Sequence, residues 1–270
     1  MTNIGISGAG GRMGRMLIQA VAEHPDANLV AAIERAGSSL LGVDAGELVN
    51  LPAMGVALRD DLHQVIDQLD VLIDFSHPQA TVDNAKLCQA HGVNLVVGTT
   101  GLDDAQNAIL QDASKHIAMV YAGNYSTGVN LTLQLLKLAA QAFGDEADVE
   151  IIEAHHKHKI DAPSGTAYMM AQAVADARGQ NLNNVAVYGR SGQTGERTQG
   201  SIGIHAVRGG EIVGDHSVMF IADGEMVEIR HHARDRMTFA AGAVRAAVWV
   251  AAQQHGMYDM QDVLGIKNPQ

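Results

Sequence analysis

Between Glu153 and Thr166 the chain reads Glu-Ala-His-His-Lys-His-Lys-Ile-Asp-Ala-Pro-Ser-Gly-Thr, which puts His155, His156 and His158 with Lys157 and Lys159 inside five consecutive residues. Imidazoles that titrate near neutrality, set beside ammonium groups, can donate protons and bind carboxylates. Ser164, Gly165 and Thr166 follow at the start of a predicted helix, where unpaired amides favour anions. Together these groups suit a substrate with more than one carboxylate. Zinc is the first alternative, because His156 and His158 alternate. No Cys cluster and no acidic partner at ligand spacing accompanies them, so no metal is expected. A solvated charged loop is the plainer alternative.

A second candidate, Gly8-Ala9-Gly10-Gly11-Arg12-Met13-Gly14, lies directly between a predicted strand and a predicted helix. Glycines there let the backbone approach a pyrophosphate, which the helix amides then hold. The spacing departs from G-x-G-x-x-G, since position 13 is Met, and fits G-x-x-G-x-x-G through Gly8, Gly11 and Gly14. Glu34 stands 20 residues after Gly14, at the end of the second predicted strand, where a carboxylate can accept from adenosine ribose hydroxyls. Arg35 follows and could pair with a 2′-phosphate, so both NADH and NADPH are expected as cofactors. The Gly98-Thr99-Thr100-Gly101 and Ala122-Gly123-Asn124-Tyr125-Ser126 loops also follow predicted strands on the same sheet edge. Ligands of open α/β sheets bind there, and these loops predict a nicotinamide pocket.

The elements that must position these residues follow from periodicity. Residues 3–7, 29–34, 71–75, 95–98 and 117–121 form short apolar runs, several without alternation, as strands buried on both faces do. Residues 12–23, 78–91 and 103–115 between them have helical length, and Pro78 suits a first helical turn. This alternation predicts an α/β fold: a Rossmann-type doubly wound parallel sheet over residues 1–126. Past Tyr125 the pattern changes to a long apolar helix (128–143), a strand (149–154), a helix (165–178) and strands at 202–207, 212–221 and 226–232, the last three separated by hairpin-type turns. Residues 127–236 are therefore expected to form a second α+β domain on a mixed or antiparallel sheet, for substrate binding and oligomerisation. A last helix (238–254) is expected within a segment, 237–270, that returns to the first domain. The seven glycines of residues 189–210, with Arg190, Arg197 and Arg208, predict either a segment that closes over ligand or reaches a neighbouring subunit, or an exposed loop. His231-His232 reads as a strand end and Met169-Met170 as core packing.

Composition narrows the partners. With 30 acidic against 18 basic side chains and a formal charge of -12, the chain offers no footprint for a phosphate backbone or an anionic membrane. The longest stretch without charge, residues 116–136, holds Asn124, Asn130 and Gln134 and fails as a spanning helix. The single Cys88 forms no intramolecular disulfide, and residues 1–8 lack signal-peptide regions, so a cytoplasmic location is expected.

The His-rich segment, with Gly8–Gly14, Gly98–Gly101, Asn124-Tyr125-Ser126 and Thr194-Gly195-Glu196-Arg197, resembles the 4-hydroxy-tetrahydrodipicolinate (formerly dihydrodipicolinate) reductase family over essentially the whole chain. The resemblance implies NAD(P)H-dependent reduction of 4-hydroxy-tetrahydrodipicolinate to tetrahydrodipicolinate, in diaminopimelate and lysine biosynthesis, by a homotetramer that binds a small cyclic dicarboxylate. It places the dinucleotide on Gly8, Ala9, Gly10, Gly11, Arg12, Met13, Glu34 and Arg35. Gly98, Thr99 and Thr100, with Ala122, Gly123, Asn124 and Tyr125, fall near the nicotinamide. His155 becomes proton donor or acceptor, Lys159 proton donor, and His156, Gly165 and Thr166 substrate contacts. Tyr125 stands where Phe is also expected, and either supplies an aromatic face. Another two-domain Rossmann oxidoreductase, such as a homoserine-type dehydrogenase, would keep the cofactor loops without needing the His-rich motif. A non-catalytic NAD(P)H sensor would bind dinucleotide without turnover.

Overall fold

The computed structural model describes residues 1–267, and the chain divides into two compact units. One comprises Met1–Thr127 with the stretch from Arg236 onward, the other Gly128–Asp235. The first unit alternates β1 (Thr2–Ser7), α1 (Arg12–Glu23), β2 (Ala27–Ile33), α2 (Ala45–Leu48), β3 (Leu58–Arg59), β4 (Val71–Asp74), α3 (Pro78–His91), β5 (Asn94–Val97), α4 (Asp104–Ala113) and β6 (Ala118–Tyr121). The second holds α5 (Thr127–Phe143), β7 (Asp148–His155), α6 (Gly165–Ala177), α7 (Leu182–Val185), β8 (Ala186–Tyr188), β9 (Ile202–Arg208), β10 (Gly214–Ile221) and β11 (Met226–Ala233). α8 (Met237–Val250), β12 (Gly256–Tyr258) and α9 (Met260–Leu264) rejoin the first unit.

The first sheet is parallel throughout, in the order β12-β6-β5-β4-β1-β2-β3, so the chain winds outward in both directions from β1 and β4. Its central strands are apolar without alternation because helices cover both faces: Ile4, Ile6, Val71 and Ile73 are buried against α1 and α8, Leu72, Leu95 and Val97 against the opposite helices. Pro78 occupies the first turn of α3, whose Ala80 amide donates to the His77 ring. A capping box between Asp103 and Gln106 starts α4. The edge strands β3 and β12 fall outside the predicted elements.

The second sheet is mixed, as expected. Its order is β11-β10-β7-β9-β8, with β10 antiparallel to β7 and β11 while β7, β9 and β8 run parallel. The short β8 was not predicted, β10 begins two residues after the predicted start, and α8 ends at Val250, short of residue 254. Register lays apolar rows across one face. Ile151 pairs with Val218 and Ile204, and Val149 with Phe220 and Ile202. Met170 and Val174 of α6 belong to the same buried cluster. Further along this face the rows turn polar, where Glu153 pairs with His216 and His216 with His231. The apolar rows anchor the strands; the polar row ends them.

Candidate active site

At the carboxyl end of the parallel sheet, β1, β2 and β4 open into a cavity of about 870 Å³ lined by Gly8, Gly10, Gly11, Glu34, Arg35 and Ser76 among others. The glycine loop is shaped by close backbone approach: a Cβ on Gly14 would lie 2.1 Å from the Gly8 carbonyl oxygen, and Gly8 itself has φ +79° beside the Phe75 carbonyl. The amides of this loop point into the protein. Gly8 and Ala9 donate to the Ile33 carbonyl, Gly11 to the Gly8 carbonyl, and Gly10 to Glu34 Oε2 at 2.8 Å. The amides of Gly8, Gly10 and Gly11 are thus already spent on protein acceptors, whereas those of the first turn of α1, from Arg12 to Gly14, have no intrahelical acceptor. Ala9 is fully buried and does not line the cavity. Glu34 holds the loop and lines the cavity, and Arg35 beside it is exposed.

A smaller cavity of about 200 Å³ is bounded by Met13, Phe75, Gly98, Asn124, Tyr125 and Phe239, with Gly123 also on its wall. Gly98 is required by its neighbour, since a Cβ there would meet the Phe75 ring at 2.2 Å. The Tyr125 hydroxyl donates toward the Val97 carbonyl at 2.7 Å, and burial pushes it well above its ordinary pKa, so it stays neutral. Ala122 packs against the core, and its amide donates to the Val97 carbonyl. Thr100 is exposed, whereas Thr99 is buried and accepts from the Ser76 amide and the Thr81 hydroxyl. Asp74, at the end of β4, belongs to none of the motifs read from the residues. Its buried carboxylate accepts from the Ser76 amide at 2.9 Å and from Asn84 at 2.9 Å, and Asn84 also donates to Ser7, tying the ends of β1 and β4 to helix α3. Burial raises the Asp74 pKa against those bonds.

In the second unit, the end of β7 carries a dense polar cluster. Glu153 is wholly buried; Oε2 meets His155 Nδ1 at 2.6 Å and Arg208 Nη1 at 2.7 Å, while Oε1 accepts from the Ser164 amide at 3.0 Å and from Arg208 Nη2 at 2.8 Å. Burial opposes its charge, but Arg208, His155 and the Ser164 amide outweigh it and hold the carboxyl below its usual range. Ser164 caps α6, accepting from the Ala167 amide, and its hydroxyl meets His216 Nε2 at 2.9 Å. Burial, with the neighbouring His155, brings His216 down to about 4, so it is neutral at pH 7. The His155 and His216 rings stand 5.1 Å apart, edge to face.

Of the predicted substrate group, His155, Ser164 and Lys159 are held by defined partners, Lys159 through an ion pair with Asp161 at 2.9 Å. His156 is partly buried, with its ring 6.1 Å from that of His158, and Gly165 and Thr166 begin α6. Arg208 and His216 lie 55 and 63 residues from Glu153 and Glu153 itself was given no role by the motif; only strand register assembles them. The glycine-rich segment is tied to the opposite face of β7, where Arg190 and Arg197 both bond Glu150. Among the described residues, no group of three or more His, Cys, Asp or Glu is arranged to hold a metal ion, and no helix is long and apolar enough to cross a membrane.

Residues 2–125 match the family model described as dihydrodipicolinate reductase, N-terminus, and residues 128–264 the one described as dihydrodipicolinate reductase, C-terminus. The chain is 65% identical over 268 residues to a 4-hydroxy-tetrahydrodipicolinate reductase from Psychrobacter arcticus, covering 99% of this chain and 96% of the relative. It is 56% identical over 267 residues to one from Acinetobacter baumannii, covering 99% and 97%. A solved dipicolinate-bound dihydrodipicolinate reductase from Paenisporosarcina sp. TG-14 superposes with a TM-score of 0.77 at 27% identity, over 97% of this chain and 98% of that one. An amine dehydrogenase from Mycobacterium smegmatis, with a TM-score of 0.59 at 15% identity over 95% and 94% of the two chains, shares the fold alone. With both units matched and more than half of all positions shared with relatives over nearly the full length, this chain belongs to the dihydrodipicolinate reductase family.

Proposed function

We propose that the protein reduces 4-hydroxy-tetrahydrodipicolinate to tetrahydrodipicolinate with NADH or NADPH, one hydride and one proton entering as the hydroxyl leaves as water. The observation that carries this reading is the cluster at the end of β7, where an anchored imidazole (His155), an ammonium group (Lys159) and the amino end of α6 (Ser164) are assembled in a member of this family. The relatives' name supplies the reaction, and the dipicolinate bound to the solved neighbour is a cyclic dicarboxylate of the kind such cations suit.

The dinucleotide supplies the hydride. The residues of this chain bind, orient and move protons. The first-turn amides of α1 suit a pyrophosphate, Glu34 the ribose hydroxyls and Arg35 a 2′-phosphate. His156, Ser164, Gly165 and Thr166 bind substrate carboxylates at the start of α6. Hydride arriving on a ring conjugated with an imine or carboxylate builds negative charge on the acceptor, which Lys159 stabilises while Lys159 or His155 delivers the proton. We assign the protein to the cytoplasm, where both nicotinamide cofactors are available, and to a homotetramer assembled through the second unit. The outer face of its sheet supports that assembly, exposing Ile152, Val207 and Met226 beside charged neighbours.

Substrate-dependent oxidation of NADH and NADPH by the purified protein, with freshly generated 4-hydroxy-tetrahydrodipicolinate, tests the reaction. Lys159→Ala and His155→Ala should each lower turnover about 10²–10⁴-fold while dinucleotide affinity holds. Turnover within about threefold of the parent, a barrier change under 1 kcal/mol, would leave the motif a binding element only.

A further inference from the structure

We infer that Glu153, held by Arg208, is a positioning residue that keeps the neutral His155 ring protonated on Nδ1 and presents the lone pair of Nε2 to the ligand. The inference rests on the proposed role of His155 in proton transfer, and it follows from an inventory of donors and acceptors. An ionised carboxylate only accepts. The Ser164 amide and both Arg208 nitrogens only donate, so three of the four bonds to Glu153 have fixed direction. The fourth, from His155 Nδ1 at 2.6 Å, must then also be a donation. Which ring nitrogen bears the proton is set by the bond the other makes, and here that leaves Nε2 as the acceptor in the neutral ring and the donor in the charged one.

Arg208 is the second half of the device. Arg208 places a fixed positive charge on the same two oxygens and also donates to the Asp161 carbonyl at 2.6 Å, at the loop that carries Lys159. His216, the other titratable ring against His155, is neutral at pH 7 and adds no competing charge. Gly214 completes the arrangement. A Cβ there would lie 3.1 Å from His155 Nε2, so the missing side chain keeps that nitrogen uncrowded.

Glu153→Gln separates this role from simple packing. Glutamine offers one oxygen and one amino group, and of the four partners only His155 Nδ1 can change from donor to acceptor. The amino group must therefore face His155 and invert its tautomer. Arg208 Nη1 retains the Val207 carbonyl at 2.7 Å and Nη2 the Asp161 carbonyl, so both remain bonded.

The test is two-bond proton–nitrogen correlation spectroscopy of ¹⁵N-histidine-labelled full-length protein, without ligands, above the imidazole titration, with the His155 signals assigned by their loss in His155→Asn. The parent should carry its proton on Nδ1 and Glu153→Gln on Nε2. Turnover in the variant should fall about 10²–10⁴-fold, the upper end being the cost of a wrong histidine tautomer in a serine-protease triad, with NADH affinity within twofold. A parent protonated on Nε2 overturns the inference whether or not the variant folds. So does an inverted tautomer with turnover within threefold of the parent, or a large loss of turnover without inversion. Because the spectra need no substrate, the tautomer is read even if the proposed reaction is not the protein's own.

Discussion

Substituting Gly14 with alanine is the sharpest perturbation of the cofactor half of the site, because every atom it would strike is backbone. The added Cβ would lie 2.1 Å from the Gly8 carbonyl oxygen and 2.6 Å from both Cα and O of Ala9, where real Cβ contacts stay beyond 3.0 Å. The glycine loop must therefore retreat by about 1 Å from α1. Overpacking of this kind costs roughly 1–3 kcal/mol, and alanine's better helix propensity returns up to about 1 kcal/mol. A net loss of about 1–2 kcal/mol should lower the melting temperature by roughly 2–8 °C. The cost to binding should be larger. A misplacement of about 1 Å can cost 10²-fold, and here it separates the loop from the first-turn amides proposed to hold the pyrophosphate. NADH dissociation constants, read from the fluorescence of the nucleotide, should rise about 10²-fold, or 2.7 kcal/mol. Gly10→Ala is the control. Its Cβ would meet Glu34 Oε2 and Leu40 Cδ1, both at 2.6 Å, side-chain ends that can give way while the loop backbone stays in place, at the cost of the Gly10–Glu34 bond. Its effect should be the smaller of the two, about tenfold, the worth of one hydrogen bond to a charged group, roughly 1.5 kcal/mol. If Gly14→Ala binds NADH within threefold of the parent, or if Gly10→Ala is the worse of the two, the loop is not the cradle described here.

Glu150 links stability to pH on the outer face of β7. Burial opposes its charge, but bonds from Arg190, His205 and Arg197 bring its pKa from an ordinary 4.5 to about 2. A depressed carboxylate contributes stability that is present above its ordinary value and lost as pH falls through the folded one, here from about 4.5 to about 2. Glu150→Gln should cost at most about 3 kcal/mol at pH 7, and the gap to the parent in urea midpoints should close across that window. A constant gap would refute the assignment. Arg35→Ala should weaken NADPH more than NADH in paired titrations, and equal losses would remove Arg35 from the 2′-phosphate role. Sedimentation at micromolar concentration should give a single species of four subunits, and a fully active monomer would contradict the proposed assembly.

What the chain determines by itself is whatever depends on neighbours in sequence. The apolar runs, the helix-length intervals, Pro78 in a first turn and the glycines between β1 and α1 are legible because backbone conformation and burial pattern are local properties. The His-rich segment is legible for the same reason, its groups being packed into consecutive positions. The edge strands β3, β8 and β12, of two or three residues, carry no period of their own and exist because a neighbouring strand offers its open edge. The inward turn of the Gly8–Gly10 amides was hidden too, since their acceptors on Ile33 and Glu34 lie on the next strand and just beyond it. So was the grip on His155. Glu153 is in the motif, but Arg208 and His216 come from β9 and β10, and no spacing announces that parallel pairing on one side of β7 and antiparallel pairing on the other will set them around one carboxylate and its serine. Residue types state which protons can move; strand register and burial decide which nitrogen carries one, because a buried acceptor must be satisfied by whatever donors the fold brings within reach.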